Sequence, residues 1–230
     1  MTEREILTAG LSELKIDSPQ AVDKLLEFST QLLEKNKVMN LTAVTDPLEV
    51  VTRHFLDSSV LSEYVAGQKQ VIDIGCGAGF PGIPLALLTG AEFLLLDSLK
   101  KRITWLSEMI DLLAIPNAKA VHARAEEYGH REEFDLAVSR AVARLNILTE
   151  LSLPFVRPGG RFIAMKAGGC EIEVEEAKQA IKLLGGELEE VRTYIVPQTE
   201  LRRCLVIVQK VHQTPKDYPR RFAKISTRPL

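Results

Sequence analysis

Residues 70–85, QVIDIGCGAGFPGIPL, decide how the rest of the chain is read. Val71, Ile72 and Ile74 form a short apolar run suited to a buried strand, and Asp73 lies near its carboxyl end, where open α/β sheets keep their ligand crevice. Gly75, Gly77 and Gly79 follow. Lacking Cβ atoms, they let the backbone turn through positive φ and approach a ligand closely. Residues 81–88 then read as a helix, so the stretch is strand, glycine loop and helix. A tight turn that binds nothing is the alternative, and the entropy cost of three closely spaced glycines weighs against it.

Two cofactor readings compete for this loop. Gly77, Gly79 and Gly82 spell G-x-G-x-x-G, and Asp97 follows at the spacing of a ribose-binding carboxylate, as in a nicotinamide dinucleotide site. The longer pattern, Asp73-Ile-Gly75-Cys-Gly77-Ala-Gly79, resembles the first motif of S-adenosylmethionine-dependent methyltransferases. That donor has no pyrophosphate, so its loop needs little anion binding from a helix N-terminus. Its α-ammonium and sulfonium are compatible with an acidic strand end. The methyl-donor reading leads over the nicotinamide one.

At 230 residues and 46% hydrophobic, the chain can bury one full core and carry an extension. The opening MTEREILTAG is too acidic for a signal peptide, and no run approaches the roughly 18–20 apolar residues of a membrane span. Cys76, Cys170 and Cys204 are odd in number and far apart, which argues against a disulfide framework and offers no C-x-x-C metal spacing. A cytoplasmic, monomeric, metal-free enzyme is expected. The net charge of −2 is unevenly spread: residues 201–230 carry eight Lys/Arg against Asp217, whereas 169–200 carry eight Glu against three Lys/Arg. A basic tail of this kind can dock a polyanion that the net charge would not predict.

Helical spacing appears at 3–14 and 20–35, followed by a polar turn at 36–46 and a helix opened by Asp46-Pro47. Strands at 92–96, 118–122, 134–138 and 161–166 alternate with helices at 98–113 and 145–155, the pattern of a mostly parallel sheet. An acidic helix at 171–184 precedes a closing strand pair at 188–196 and 204–209. The expected organisation is a helical extension (1–66), a Rossmann-like α/β domain with helices flanking the sheet (67–210) and a basic tail (211–230).

Several positions invite chemistry. Asp97 ends the second strand, placed to accept from both ribose hydroxyls of an adenosyl group, and Arg124-Ala125-Glu126 follow the strand whose end borders the adenine. Lys100, Lys101 and Arg102 begin a helix against its macrodipole, so they face phosphate or solvent rather than stabilise the helix. Arg140 ends the fourth strand, across the topological switch point from the glycine loop, and should line the reaction crevice. Arg53 and Asp57 at i and i+4 read as a surface ion pair worth a few tenths of a kcal/mol. His54 between them is either a catalytic base or structural. No cysteine is convincingly placed as the nucleophile that pyrimidine C5 methylation needs. Ser139-Arg140-Ala141-Val142 stands where amine methyltransferases carry an Asn/Asp-Pro-Pro-aromatic motif. Guanine N7 needs no base, which fits.

Asn40-Leu41-Thr42, the Arg53-His54-Phe55-Leu56-Asp57-Ser58 helix, Gly79-Phe80-Pro81-Gly82-Ile83-Pro84, Asp97-Ser98 with Lys100-Lys101-Arg102, Ser139-Arg140-Ala141 and Tyr218-Pro219-Arg220-Arg221 together resemble the bacterial 16S rRNA guanine-N7 methyltransferase family, also called the glucose-inhibited division protein B family. The resemblance spans almost the whole chain. It implies S-adenosylmethionine as donor and 16S rRNA or the small ribosomal subunit as partner. It further implies donor contacts from Asp73, Gly75, Gly77, Gly79 and Phe80, ribose contacts from Asp97, Ser98, Leu99 and Lys100, and adenine contacts from Ala125 and Glu126. Arg140 would sit between donor and incoming base. Arg53, His54, Lys100, Lys101, Arg102, Lys166, Arg220 and Arg221 would be RNA contacts. After Arg221 the chain reads Phe-Ala-Lys-Ile-Ser where that family continues Gly-x-Pro-x-Lys. A small-molecule methyltransferase and a catalytically silent RNA-binding assembly factor are the alternatives.

Overall fold

The computed structural model describes residues 1–140 and 143–230. Helices α1 (Glu3–Glu13), α2 (Pro19–Met39), α3 (Pro47–Val50), α4 (Asp57–Ser59) and α5 (Ser62–Val65) precede the sheet, with a π-helical stretch, Val51–Leu56, between α3 and α4. There follow β1 (Gln70–Ile74), α6 (Gly82–Leu88), β2 (Glu92–Asp97), α7 (Lys100–Leu112), β3 (Ala118–His122), β4 (Phe134–Arg140), α8 (Leu145–Ser152), β5 (Val156–Ala167), α9 (Glu171–Leu183), β6 (Gly186–Ile195), β7 (Arg202–Lys210) and α10 (Phe222–Thr227). The seven strands lie in the order β3-β2-β1-β4-β5-β7-β6. Among the described residues β7 runs opposite to the other strands, pairing antiparallel with both β5 and β6, and the remaining pairs are parallel. The order reverses between β1 and β4, which opens the ligand crevice there.

Alternation along the strands sorts the core into two layers. Val71, Leu95, Leu136, Val138, Ile163, Leu205 and Ile207 face the N-terminal helices, α6 and α7, where Leu7, Leu25, Phe28 and Phe55 are fully buried among them. Ile72, Leu96, Ala137, Phe162, Ala164, Val206 and Val208 face α8, α9 and α10. The N-terminal helices are thus a layer of the fold, sharing one core with the sheet. Thr2 and Glu5 close a capping box at α1, and Asp46 caps α3 through the Glu49 N–H. α2 runs four residues past its expected end, because the Asn36 side chain accepts from the Leu41 and Thr42 N–H groups at 2.7 and 2.9 Å and Asn40 takes the left-handed cap at φ 49°.

The glycine loop is tight as well as bare. A Cβ on Gly79, at φ +99°, would stand 2.8 Å from both Ile83 Cγ1 and Leu106 Cδ2. Gly79→Ala combines backbone strain with overpacking, and a loss of about 3 kcal/mol in urea unfolding is expected. An unchanged midpoint would mean that the loop rearranges freely.

Two features depart from the sequence reading. Cys170 and Cys204, separated by 34 residues, lie side by side with Cα atoms 7.1 Å apart. The pairing of β5 with β7, which sets Lys166 opposite Cys204, brings them together whatever their distance along the chain. The basic tail, moreover, is a docked segment. Glu132 accepts from the Thr214 N–H at 2.7 Å, Arg131 donates to the Tyr218 and Thr214 carbonyls, and Ile225 is buried in the second core layer. Arg220 closes a bidentate pair on Glu150, Nε at 2.8 Å and Nη2 at 2.6 Å, while Glu150 is wholly buried. Its guanidinium therefore anchors the tail and is not directed outward as an RNA contact.

Candidate active site

β1 and β2 deliver two carboxylates to the crevice, and they do different work. Asp73 is fully buried; its Oδ2 accepts from the Gly82 N–H at 2.8 Å, which ties the strand end to the start of α6. Its Oδ1 has no hydrogen-bond partner, and burial pushes the carboxyl up to about 7 against the pull of that N–H. Asp97 instead lies in the cavity wall, with Oδ1 accepting from Leu99 N–H at 2.8 Å and Oδ2 from Gly77 N–H at 3.0 Å and Arg102 Nη1 at 3.3 Å. The cavity holds about 540 Å³, within the range of small-molecule sites. Gly75 and Gly77, at φ 70° and 58°, offer it bare backbone, and Leu99 offers apolar surface that is 43% exposed. A diol acceptor beside an apolar wall and side-chain-free backbone suits an adenosyl ligand.

Arg140, at the end of β4, stands with His54 between this cavity and a second one of about 290 Å³, and both residues line both. Its Nη1 donates to the Arg53 carbonyl at 3.1 Å and contacts Asp57 Oδ2 at 3.4 Å, while Nη2 lies 3.3 Å from His54 Nδ1. The guanidinium carbon sits 4.9 Å from the centre of the Phe80 ring, against which His54 also packs at 4.5 Å. His54 Nε2 is 2.8 Å from Thr42 Oγ1. Arg53 and His54 come from the π-helical stretch and Asp57 follows it directly; such an altered turn is a recurrent mark of functional sites.

Burial, reinforced by the Arg140 charge, lowers the His54 imidazole to about 3. At that value His54 is neutral near pH 7, where it stands as a partner of Arg140. Its nitrogen resonances are expected to show no titration from pH 8 down to 5 by NMR; a midpoint near 6.5 would overturn this. For stability the sign is definite: between about 3 and 6.5 the unfolded chain takes up the proton that the folded one refuses. This group thus destabilises the fold as pH falls through that window and is silent above it.

The structure brings Gly75, Gly77, Phe80, Asp97, Ser98, Leu99 and Arg140 onto the first cavity. Asp73 and Gly79 shape the loop from behind, and neither Lys100 nor the Ala125–Glu127 turn is on the cavity wall. Arg102 turns inward to Asp97, whereas Lys100 and Lys101 are exposed. Lys166 is buried, its ammonium held by the Ala143 carbonyl and by Glu173 at 2.7 Å each, so it braces the segment after β4 while lining the second cavity. Arg53 pairs with Glu49 at 3.5 Å, and Asp57 is the buried counter-ion of Arg140, not the surface partner of Arg53. Leu41 and Thr42 on the first cavity, and Arg203 on the second, were not assigned from sequence. The signal for Arg203 is a cation in phase with Leu205 and Ile207 on the inward face of an apolar strand. Arg221 is exposed. Cys76 lines the first cavity, but burial and the charges of Asp73 and Asp97 hold its thiol far above the usual range. Among the described residues no three His, Cys, Asp or Glu side chains gather as a metal site, and no helix is long and apolar enough to cross a membrane.

Solved structures share the architecture. A SAM-dependent O-methyltransferase from Thermotoga maritima superposes with a TM-score of 0.54 at 15% identity, over 80% of this chain and 73% of that one. The M. jannaschii protein TYW2, in complex with AdoMet, gives 0.53 at 16% identity over 66% and 74%. At the level of sequence, the ribosomal RNA small subunit methyltransferase G of Alkaliphilus oremlandii is 42% identical over the full length of both chains. That of a Thermoanaerobacter species is 46% identical over 91% of this chain and 90% of its own. The family model described as GidB, rRNA small subunit methyltransferase G, matches residues 21–202, and the chain belongs to that family.

Proposed function

We propose that the chain transfers a methyl group from S-adenosylmethionine to N7 of a guanine in small-subunit ribosomal RNA. The observation that carries this reading is the pair of cavities meeting at Arg140 and His54: one has the walls of an adenosyl site, the other carries Arg53, Arg140, Lys166 and Arg203 in its lining. The relatives' names supply the RNA. When bound, the donor supplies an electrophilic methyl group on a sulfonium. The N7 lone pair forms the new N–C bond as the C–S bond breaks, the bonding electrons leave with sulfur, and the positive charge passes to the guanine. No proton is removed, so a neutral His54 and a thiol that resists ionisation are no handicap. What the side chains contribute is alignment. Asp97 would take the ribose diol, Leu99 would cover the adenine and Phe80 would border the methionine end. Arg53 and Arg203 of the second cavity, with exposed Lys100, Lys101 and Arg221, would meet phosphates.

The test is transfer of labelled methyl from S-adenosylmethionine to small subunits from cells lacking this protein, followed by N7-specific strand cleavage. A single labelled guanine, with transfer falling steeply as salt rises, is expected. Labelling of small molecules alone, indifferent to salt, would overturn the RNA assignment.

A further inference from the structure

Arg140 poses an electrostatic problem. On the reading above, a buried guanidinium stands where a cationic donor must bind, and like charges at close range in a poorly hydrated site repel strongly. The chain carries an answer outside the cofactor loop. Asp57, only 3% exposed, sets Oδ2 against Arg140 Nη1 at 3.4 Å. Its other oxygen accepts from the Tyr194 hydroxyl, reaching over from β6, at 2.7 Å. Tyr194 is held in its protonated, donating form by burial and by that same carboxylate. Of the five N–H donors of Arg140, the Arg53 carbonyl, Asp57 and His54 engage three.

We infer that Asp57 and Tyr194 are positioning residues for methyl transfer: they orient Arg140 at the junction of the two cavities and neutralise it, so that a sulfonium is tolerated beside it. The inference rests on S-adenosylmethionine as donor. It predicts discrimination by charge, because the sulfonium of S-adenosylmethionine is cationic whereas the thioether of S-adenosylhomocysteine is neutral. Apart from charge, the two differ only by the transferred methyl group.

The experiment is calorimetric titration of the full chain with each compound separately. In Asp57→Asn the guanidinium loses its nearest counter-ion, and Kd for S-adenosylmethionine is expected to rise about tenfold more than Kd for S-adenosylhomocysteine. Asp57→Glu, which keeps the charge, should restore most of the ratio. Asp57→Asn combined with Arg140→Gln removes both charges and should bring the ratio back towards that of the unmodified chain, even though overall affinity is lower. It also serves where Asp57→Asn alone folds poorly. Tyr194→Phe leaves the carboxylate in place; its ratio should move little, while methyl transfer falls through kcat with KM for the donor nearly unchanged. Equal weakening of both compounds in Asp57→Asn, with no recovery in the double variant, would overturn the inference and leave Asp57 a purely structural residue. Failure of the unmodified chain to bind either compound would instead overturn the donor assignment.

Discussion

Asp97→Ala is expected to weaken S-adenosylmethionine binding at least about 100-fold, or about 2.8 kcal/mol. The carboxylate organises the cavity and, as proposed, accepts the ligand's diol. Removing it orphans the Gly77 and Leu99 N–H groups and frees Arg102, each of which now converges on it. The loop would lose its register against β2 at the same time as the diol acceptor disappears. Asp97→Asn keeps one acceptor oxygen and should cost nearer tenfold. Calorimetric titration checks both, and near-normal affinity in Asp97→Ala would remove this residue from the donor site.

The second large effect lies in the tail. Arg220→Ala is expected to destabilise the protein by about 3 kcal/mol, because it strands the fully buried Glu150 carboxylate without its counter-ion. The Arg220 N–H also donates to Glu150 at 2.9 Å, so backbone and side chain are held together. Replacing both partners by apolar residues, Arg220→Met with Glu150→Leu, should recover much of the loss, since no charge is then left buried alone. Arg221→Ala, at the exposed neighbouring position, should change stability by no more than about 0.5 kcal/mol. If the tail meets RNA as proposed, it should also lower the slope of log affinity against log salt by about one. Urea unfolding and RNA binding across a salt series separate the two residues; a stability loss in Arg221→Ala equal to that in Arg220→Ala would refute this division.

The mostly parallel sheet, its closing strand pair and the glycine loop were legible because each rests on local pattern: apolar runs of strand length, turn residues, and glycines at positions that need positive φ. The walls of the first cavity followed from the same loop and from Asp97 ending the next strand. What the sequence did not disclose were partnerships across the fold. Arg53 and Asp57 satisfy the i, i+4 rule, yet the π-helical turn and the burial of Asp57 give that carboxylate to Arg140, 83 residues away. Arg220 and Lys166 look like free cations until Glu150 and Glu173 appear beside them. Cys170 and Cys204 met only because β7 returns along β5. Charge counted along the chain measures supply; only packing reveals which charges are already matched.

The N-terminal helices have a bearing on how the enzyme fails. Thr42, His54, the Arg53 carbonyl and Asp57 belong to the layer that precedes the sheet, while Arg140 and Asp97 belong to the sheet itself. Methyl transfer is therefore a reporter of whether two layers remain pressed together. A small shift of the first some sixty residues against the sheet would silence the enzyme while the strands stayed paired.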